Sequence, residues 1–264
     1  MSHRELPSGS AAVVTGASSG IGEQFCRLLA ARGVDLVLVA RNKQRLNDLA
    51  EELSGRHKIT TEVCSADLSS DDDVAMVARR IRDGGDIDLV VNNAGIGWYG
   101  QFADEPPTQI ESMLGVNVMA LTMLSRAALA TMVPRRHGGL LNVSSTASAV
   151  PGPRSAVYHA AKAYVTSLTE ALHEEARPHG VHVTALCPGV TPTGFQQSAG
   201  CSRRALGALP HSDPAEVAAA GLRALGRNQA VCVPGLLNQL SLIAARLGPR
   251  AAVRWGSRRV LAAA

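Results

Sequence analysis

Aromatic side chains are scarce in this 264-residue chain, which has three Phe, two Trp and three Tyr. Single-stranded nucleic acid is held by stacking bases on such rings, so no nucleic-acid partner is expected. Cysteine is also sparse: Cys26, Cys64, Cys187, Cys201 and Cys232 are odd in number, scattered and never in Cys-x-x-Cys spacing. That pattern argues against a disulfide framework and against a zinc site. The histidines add no metal ligand set, since His173-Glu174-Glu175 lacks a second His four positions along and His159 points elsewhere on its helix than Tyr158. Met1 to Pro7 lacks an apolar core of signal-peptide length, and no later run reaches the ~18 apolar residues of a membrane span. The expectation is a soluble cytoplasmic protein in a reducing compartment, without metal.

Acids are missing after Glu216, while Arg223, Arg227, Arg246, Arg250, Arg254, Arg258 and Arg259 follow it. Those seven charges exceed the chain's total of +4 and leave residues 1–216 at −3, so the basicity belongs to the last stretch and not to the fold. No linker divides the chain, and its length suits one large domain.

The stretch from Asn142 to Lys162 can carry chemistry. Leu140, Leu141 and Val143 form a short apolar run entered through Gly138-Gly139, and Pro151-Gly152-Pro153 breaks the chain beyond it. A strand therefore ends at Ser144-Ser145. From about Ser155, the residues Val157, Ala161, Val165, Leu168 and Leu172 recur at helical spacing, which sets Tyr158 and Lys162 on one face about 6 Å apart along the axis. A phenol with a pKa of about 10 is a poor acid or base near neutrality, but an ammonium beside it favours the phenolate. Ser145 can hydrogen-bond a substrate carbonyl oxygen as Tyr158 moves the proton. Taken alone, the pair is equally a surface pair on a helix.

Near the start, Ala11 to Thr15 is an apolar run ending in Gly16-Ala17-Ser18-Ser19-Gly20-Ile21-Gly22, after which Ile21, Phe25, Leu28 and Leu29 mark a helix face. Glycines between a strand and a helix let the backbone approach a pyrophosphate, and the helix N-terminus favours its charge. The spacing Thr15-Gly16-x-x-x-Gly20-Ile21-Gly22, then Asn92-Asn93-Ala94-Gly95, Asn117, Ser145, Tyr158/Lys162 and Pro188-Gly189, resembles the short-chain dehydrogenase/reductase family in the family's own order, over residues 11 to about 235.

The resemblance implies one three-layer, doubly wound Rossmann-type α/β domain with a parallel sheet of about seven strands. It implies reversible hydride transfer between a nicotinamide cofactor and a carbonyl, with Tyr158 as general acid/base and Ser145 holding the oxygen. Lys162 lowers the tyrosine pKa and binds the nicotinamide ribose. Asn117 holds a water that links Lys162 to solvent, or else is a core Asn serving backbone groups. Asp67-Leu68 contacts adenine, although Asp67 is also a good cap for a helix around residues 70–82. Asn93, Ala94 and Gly95 line the cofactor site; Pro188-Gly189 with Thr191 and Thr193 holds the carboxamide. A long helix from Pro107 to about Val133 and the Tyr158 helix pair across the axis of a homodimer or homotetramer in similar proteins.

The run Val34–Ala40 reads as a strand buried on both faces. An acid at its end would bind the ribose hydroxyl of NAD, whereas a base suits the 2′-phosphate of NADP. Here Ala40 is followed by Arg41, with Lys43 and Arg45 close by and no acid before Asp48, which predicts NADP(H). Gly194 to Ser212 reads as a lid, where Arg203-Arg204 either meets an anionic substrate group or is solvated. Trp98 and Tyr99 with the lid suggest an apolar, lipid-like carbonyl substrate. Asp213-Pro214 starts a helix.

Residues 236–264 form a basic amphipathic extension in which Leu236, Leu240, Ile243 and Leu247 share a face and Pro249 divides two helices. It packs on its own domain, covers a partner subunit or lies on an anionic surface at the inner membrane face. The competing functions are a non-catalytic NADP-binding scaffold or sensor and a nucleotide-sugar epimerase.

Overall fold

The computed structural model, which describes residues 10–200 and 212–262, turns seven apolar runs into the strands β1 (Ala11–Thr15), β2 (Asp35–Ala40), β3 (Thr61–Ser65), β4 (Ile87–Asn92), β5 (Gly139–Val143), β6 (His182–Leu186) and β7 (Val231–Cys232). All pair in parallel, in the order β3-β2-β1-β4-β5-β6-β7. The central strands are apolar at consecutive positions because both faces are covered. Ala12, Val14, Leu36 and Leu38 pack under α1 (Gly20–Ala30), α2 (Lys43–His57) and α8 (Pro214–Gly226). Their neighbours Ala11, Val13, Val37 and Val39 point the other way, under α3 (Asp71–Asp83), α5 (Leu121–Arg135) and α6 (Ala156–Ala176). A period of two in each strand thus builds two apolar layers.

Strand order reverses between β1 and β4, which opens a crevice at the carboxyl ends of the sheet. Helix starts are set locally: Asn42 accepts from the Arg45 N–H, Ser70 from Asp73, and Asp213 from both Ala215 and Glu216, with Pro214 in the first turn. Ser70, not Asp67, is therefore the cap of α3.

Two expectations are corrected. The run from Pro107 is not one regular helix: α4 (Pro107–Leu114) leads into a π-helical segment, Gly115–Ala120, before α5. Inside that segment Asn117, wholly buried, accepts from the Ile96 N–H at 3.0 Å and donates to the Ile96 carbonyl at 2.8 Å, a pairing that fixes the wider turn against a neighbouring loop. The same run, Pro107–Arg135, is also long and apolar enough to cross a bilayer, which the sequence reading had excluded. Its apolarity has another origin, since α5 packs against α3, α6 and the sheet as a core helix.

The last helices are α9 (Leu236–Leu247) and α10 (Arg250–Ala262), parted at Gly248-Pro249 as the proline predicts. Between β6 and α8 lies the short α7 (Gly194–Ser198); most of the stretch expected to be a lid, Arg203-Arg204 included, lies outside the described residues.

Candidate active site

The loop after β1 needs its glycines. Gly16 and Gly20 have φ of 68° and 58°, in the left-handed region. A Cβ on Gly22 would stand 2.1 Å from the Gly16 carbonyl oxygen and 2.5 Å from Asn93 Nδ2. Gly22 is buried, and its missing side chain lets α1 close on the turn. Gly22→Ala is expected to destabilise by about 2 kcal/mol, lowering the melting temperature by roughly 5 °C in a thermal scan.

Thr15 Oγ1 accepts from the backbone N–H groups of Asn93 and Ala94, at 2.9 and 3.0 Å, and Asn93 Nδ2 returns a bond to the Thr15 carbonyl at 2.9 Å. The two motifs are thus one clamp at the reversal point of the sheet. Ser19, which starts α1, makes no side-chain cap, so the first amides of that helix are left for an anion.

A cleft of about 1180 Å³ runs from this turn across the ends of the strands. Gly16, Ser18, Ser19, Gly20 and Ile21 line one part. Arg41, Asn42 and Arg45, with Asp67 and Leu68, form a second wall at the end of β2. Asn93, Ala94 and Gly95 follow, then Pro188, Gly189, Thr191 and Thr193. Asp67 accepts from the Ser69 N–H at 3.0 Å and the Ser69 hydroxyl at 2.8 Å. The first of these, helped by the hydroxyl and by the charge of Arg41, holds its carboxyl below the ordinary value. Thr193 Oγ1 donates to Gln196 Oε1 at 3.4 Å and accepts from the Phe195 N–H at 3.3 Å, which ties the start of α7 to the turn.

Ser145, Tyr158 and Lys162 come together at the far side of this cleft, with Asn117 buried behind Gly95. Ser145 starts a 3-10 turn and accepts from the Ala147 N–H at 3.1 Å, so its own proton is still there to be donated. The Tyr158 ring leans on Phe195, with centroids 5.4 Å apart, and Lys162 Nζ sits 5.8 Å from the Tyr158 centroid. Lys162 is 3% exposed and donates to the Val143 carbonyl at 2.9 Å. Burial pushes its pKa down to about 8. Gly95 separates it from Asn117: a Cβ there would lie 3.2 Å from Asn117 Oδ1 and 3.5 Å from Lys162 Nζ. Buried polar links hold the frame, with Asn92 donating to Asn142 at 2.9 Å, Asn142 to Thr169 at 3.0 Å, and Ser144 to the Lys162 carbonyl at 2.9 Å.

A phenol, an ammonium, a hydroxyl and a glycine cradle on one cleft suit proton transfer beside a dinucleotide. A family profile described as short chain dehydrogenase matches residues 10–203. The chain belongs to the short-chain dehydrogenase family.

Among solved structures, a short-chain dehydrogenase from Sphingobium yanoikuyae in complex with NADPH is 33% identical, with a TM-score of 0.83 over 93% of this chain and 96% of that one. The bulky-bulky ketone specific alcohol dehydrogenase from Comamonas testosteroni is 32% identical, with a TM-score of 0.79 over 95% and 96%. The very-long-chain 3-oxoacyl-CoA reductase of Anas platyrhynchos is 35% identical over 184 residues, which cover 68% of this chain and 59% of the reductase. The match therefore spans about three fifths of that relative's length.

The cleft wall also includes residues that the sequence motifs do not mark. His159 does not point away from the site: it lies on the cleft wall and its Nδ1 is 2.9 Å from the Val150 carbonyl, tying the helix start to the loop after Ser145. Gly152 exists for it, since a Cβ there would stand 2.1 Å from the His159 ring. Phe195, Leu242, Ala245 and Leu261 complete an apolar end of the cleft, the last three from α9 and α10. The signal for His159 was the glycine between two prolines; nothing in the motifs marked α9 and α10.

Proposed function

We propose that this short-chain dehydrogenase is NADP(H)-dependent and interconverts an alcohol with a ketone or aldehyde, with Tyr158 as general acid and base. The observation that carries the cofactor reading is the wall at the end of β2, where Arg41 and Arg45 face the cleft. A cationic pair favours a 2′-phosphate and offers no acceptor for a ribose hydroxyl. The solved relative in complex with NADPH supports it.

Gly16, Ser18, Ser19, Gly20 and Ile21 would hold the pyrophosphate, and Lys162 the nicotinamide ribose, with Thr191 and Thr193 at the carboxamide. The cofactor, when bound, supplies or accepts the hydride. In the reducing direction Ser145 donates its hydroxyl proton to hold the substrate oxygen, and Tyr158 protonates that oxygen. Lys162, while charged, stabilises the tyrosinate left behind. Asn117, held by Ile96 with its amide beside Gly95, positions a water that returns a proton from solvent toward Lys162.

The apolar end formed by Phe195, Leu242, Ala245 and Leu261 suits a bulky or acyl-chain carbonyl. The names of two relatives, a bulky-bulky ketone dehydrogenase and a very-long-chain 3-oxoacyl-CoA reductase, support that class.

Titration with NADPH and NADH, followed by nicotinamide fluorescence, tests the cofactor. NADPH is expected to bind more tightly, and Arg41→Ala to weaken NADPH about 10-fold or more while leaving NADH unchanged. An Arg41→Ala protein with full NADPH affinity would remove the 2′-phosphate argument. Turnover of a panel of bulky ketones separates the oxidoreductase from a protein that only binds the cofactor.

A further inference from the structure

We infer that α9 and α10 form a docking surface for an anionic phospholipid bilayer. The four aliphatic residues that share a stripe in the sequence do not pack inward. Leu236, Leu240, Ile243 and Leu247 are 69%, 55%, 51% and 82% exposed, and Leu237 beside them is 61% exposed. The inward face of α9 is the opposite one. Leu242 is buried, Ser241, Leu242 and Ala245 line the cleft, and Asn238 presses on Gly189, where a Cβ would lie 2.5 Å from its Nδ2. A helix that already packs through one face and still shows five large aliphatic side chains to water has a second surface to satisfy.

α10 repeats the arrangement with charge. Gly256, Ser257 and Leu261 face the cleft, the Ser257 hydroxyl donates to the Pro151 carbonyl, and the Tyr99 hydroxyl donates to the Leu261 carbonyl. Arg250, Arg254, Arg258 and Arg259 are exposed. Among the described residues none of these four has an acidic partner; the neighbouring Arg246 reaches Glu170 at 3.6 Å. Arg259 stacks 4.0 Å from the centre of the Trp255 ring, and Trp255 is 59% exposed.

The occupant follows from charge and shape together. An aliphatic stripe on one helix and exposed arginines with a tryptophan on the next, with no acid after Glu216, complement a layer that is apolar below and anionic above. A second copy placed across a two-fold axis at this face would set arginines against arginines. A nucleic-acid backbone would meet the arginines and leave the stripe in water. Because the inner faces of the same helices wall the cleft, docking puts the cleft rim against the lipid.

The experiment is co-sedimentation of the full chain with vesicles of phosphatidylcholine alone and with about a third phosphatidylglycerol, at low and high salt, beside light scattering of the protein in solution. Binding to the anionic vesicles is expected, falling at high salt and weak on phosphatidylcholine. Arg254→Gln with Arg258→Gln is expected to weaken it about 30-fold. Leu240→Asn with Ile243→Asn is expected to weaken it more than about 10-fold, since each side chain buries apolar area in the bilayer. All four are exposed and outside the cleft wall, so ketone reduction in vesicle-free buffer should stay at the unsubstituted protein's rate. Equal binding to both vesicle types, no binding to the anionic ones, or variants that sediment like the parent would each overturn the proposal. A drop in solution mass on Leu240→Asn with Ile243→Asn would do the same, by showing that a second copy covers the stripe.

Discussion

Tyr158→Phe is expected to cut carbonyl reduction about 1000-fold while leaving cofactor affinity within about twofold, a loss in the range measured when a general acid is removed. The substitution removes the hydroxyl and keeps the ring. The ring is held by Phe195 at 5.4 Å and by an edge contact to His159 at 6.1 Å, and both contacts involve ring carbon that phenylalanine keeps. Lys162 stays anchored on the Val143 carbonyl, and the glycine turn lies elsewhere on the cleft. Steady-state rates with a ketone, set beside a fluorescence titration with NADPH and a thermal melt, separate the three properties. A phenylalanine protein that reduces ketones at the parent rate would move the proton transfer to another group. One that loses NADPH as well would mean that the hydroxyl also organises the cofactor site.

Much of the fold was legible because its signals are local. Short apolar runs marked the strands, most plainly those that end before Gly16, Asn93 and Ser144, and the near-continuous apolarity of the central ones pointed to a sheet covered on both sides. The cleft was legible for the same reason: a doubly wound sheet puts the loops after β1, β4, β5 and β6 at one edge, so Gly16, Asn93, Ser145 and Pro188 converge although they are far apart in sequence.

What stayed hidden depends on tertiary pairing. The π-helical segment at Gly115–Ala120 comes from Asn117 reaching Ile96, a contact that no helical periodicity reveals. The stripe on α9 was visible as a stripe, but which face turns inward was decided by fit: Leu242 and Ala245 reach the cleft, while Asn238 wedges against Gly189. Periodicity says that a helix is amphipathic; it does not say what lies on each side.

Lys162→Met is expected to abolish most turnover and yet leave a more stable protein at neutral pH. The side chain is 3% exposed, and burial pushes its pKa from the ordinary 10.5 down to about 8. The sign of the linkage follows directly. Below about pH 8 the lysine is charged in both the folded and the unfolded chain, and the folded state bears the full cost of holding that charge out of water. Between about 8 and 10.5 the unfolded chain keeps a proton that the folded chain has released, so stability rises with pH, by about 3 kcal/mol over the window. Methionine removes the charge and the titration. It also leaves the Val143 carbonyl without its donor at 2.9 Å, a loss of about 1 kcal/mol. At pH 7 the variant should therefore be more stable by about 1 kcal/mol or more, and its advantage should vanish as the pH approaches 10.5. Turnover should fall about 100-fold or more, because the charge that costs stability is the one that favours the tyrosinate. Melting curves of both proteins at pH 7, 8.5 and 10 check the first claim, and rates at pH 7 check the second. A variant that is less stable at every pH by the same margin would mean that Lys162 is held for its hydrogen bond and not in spite of its charge.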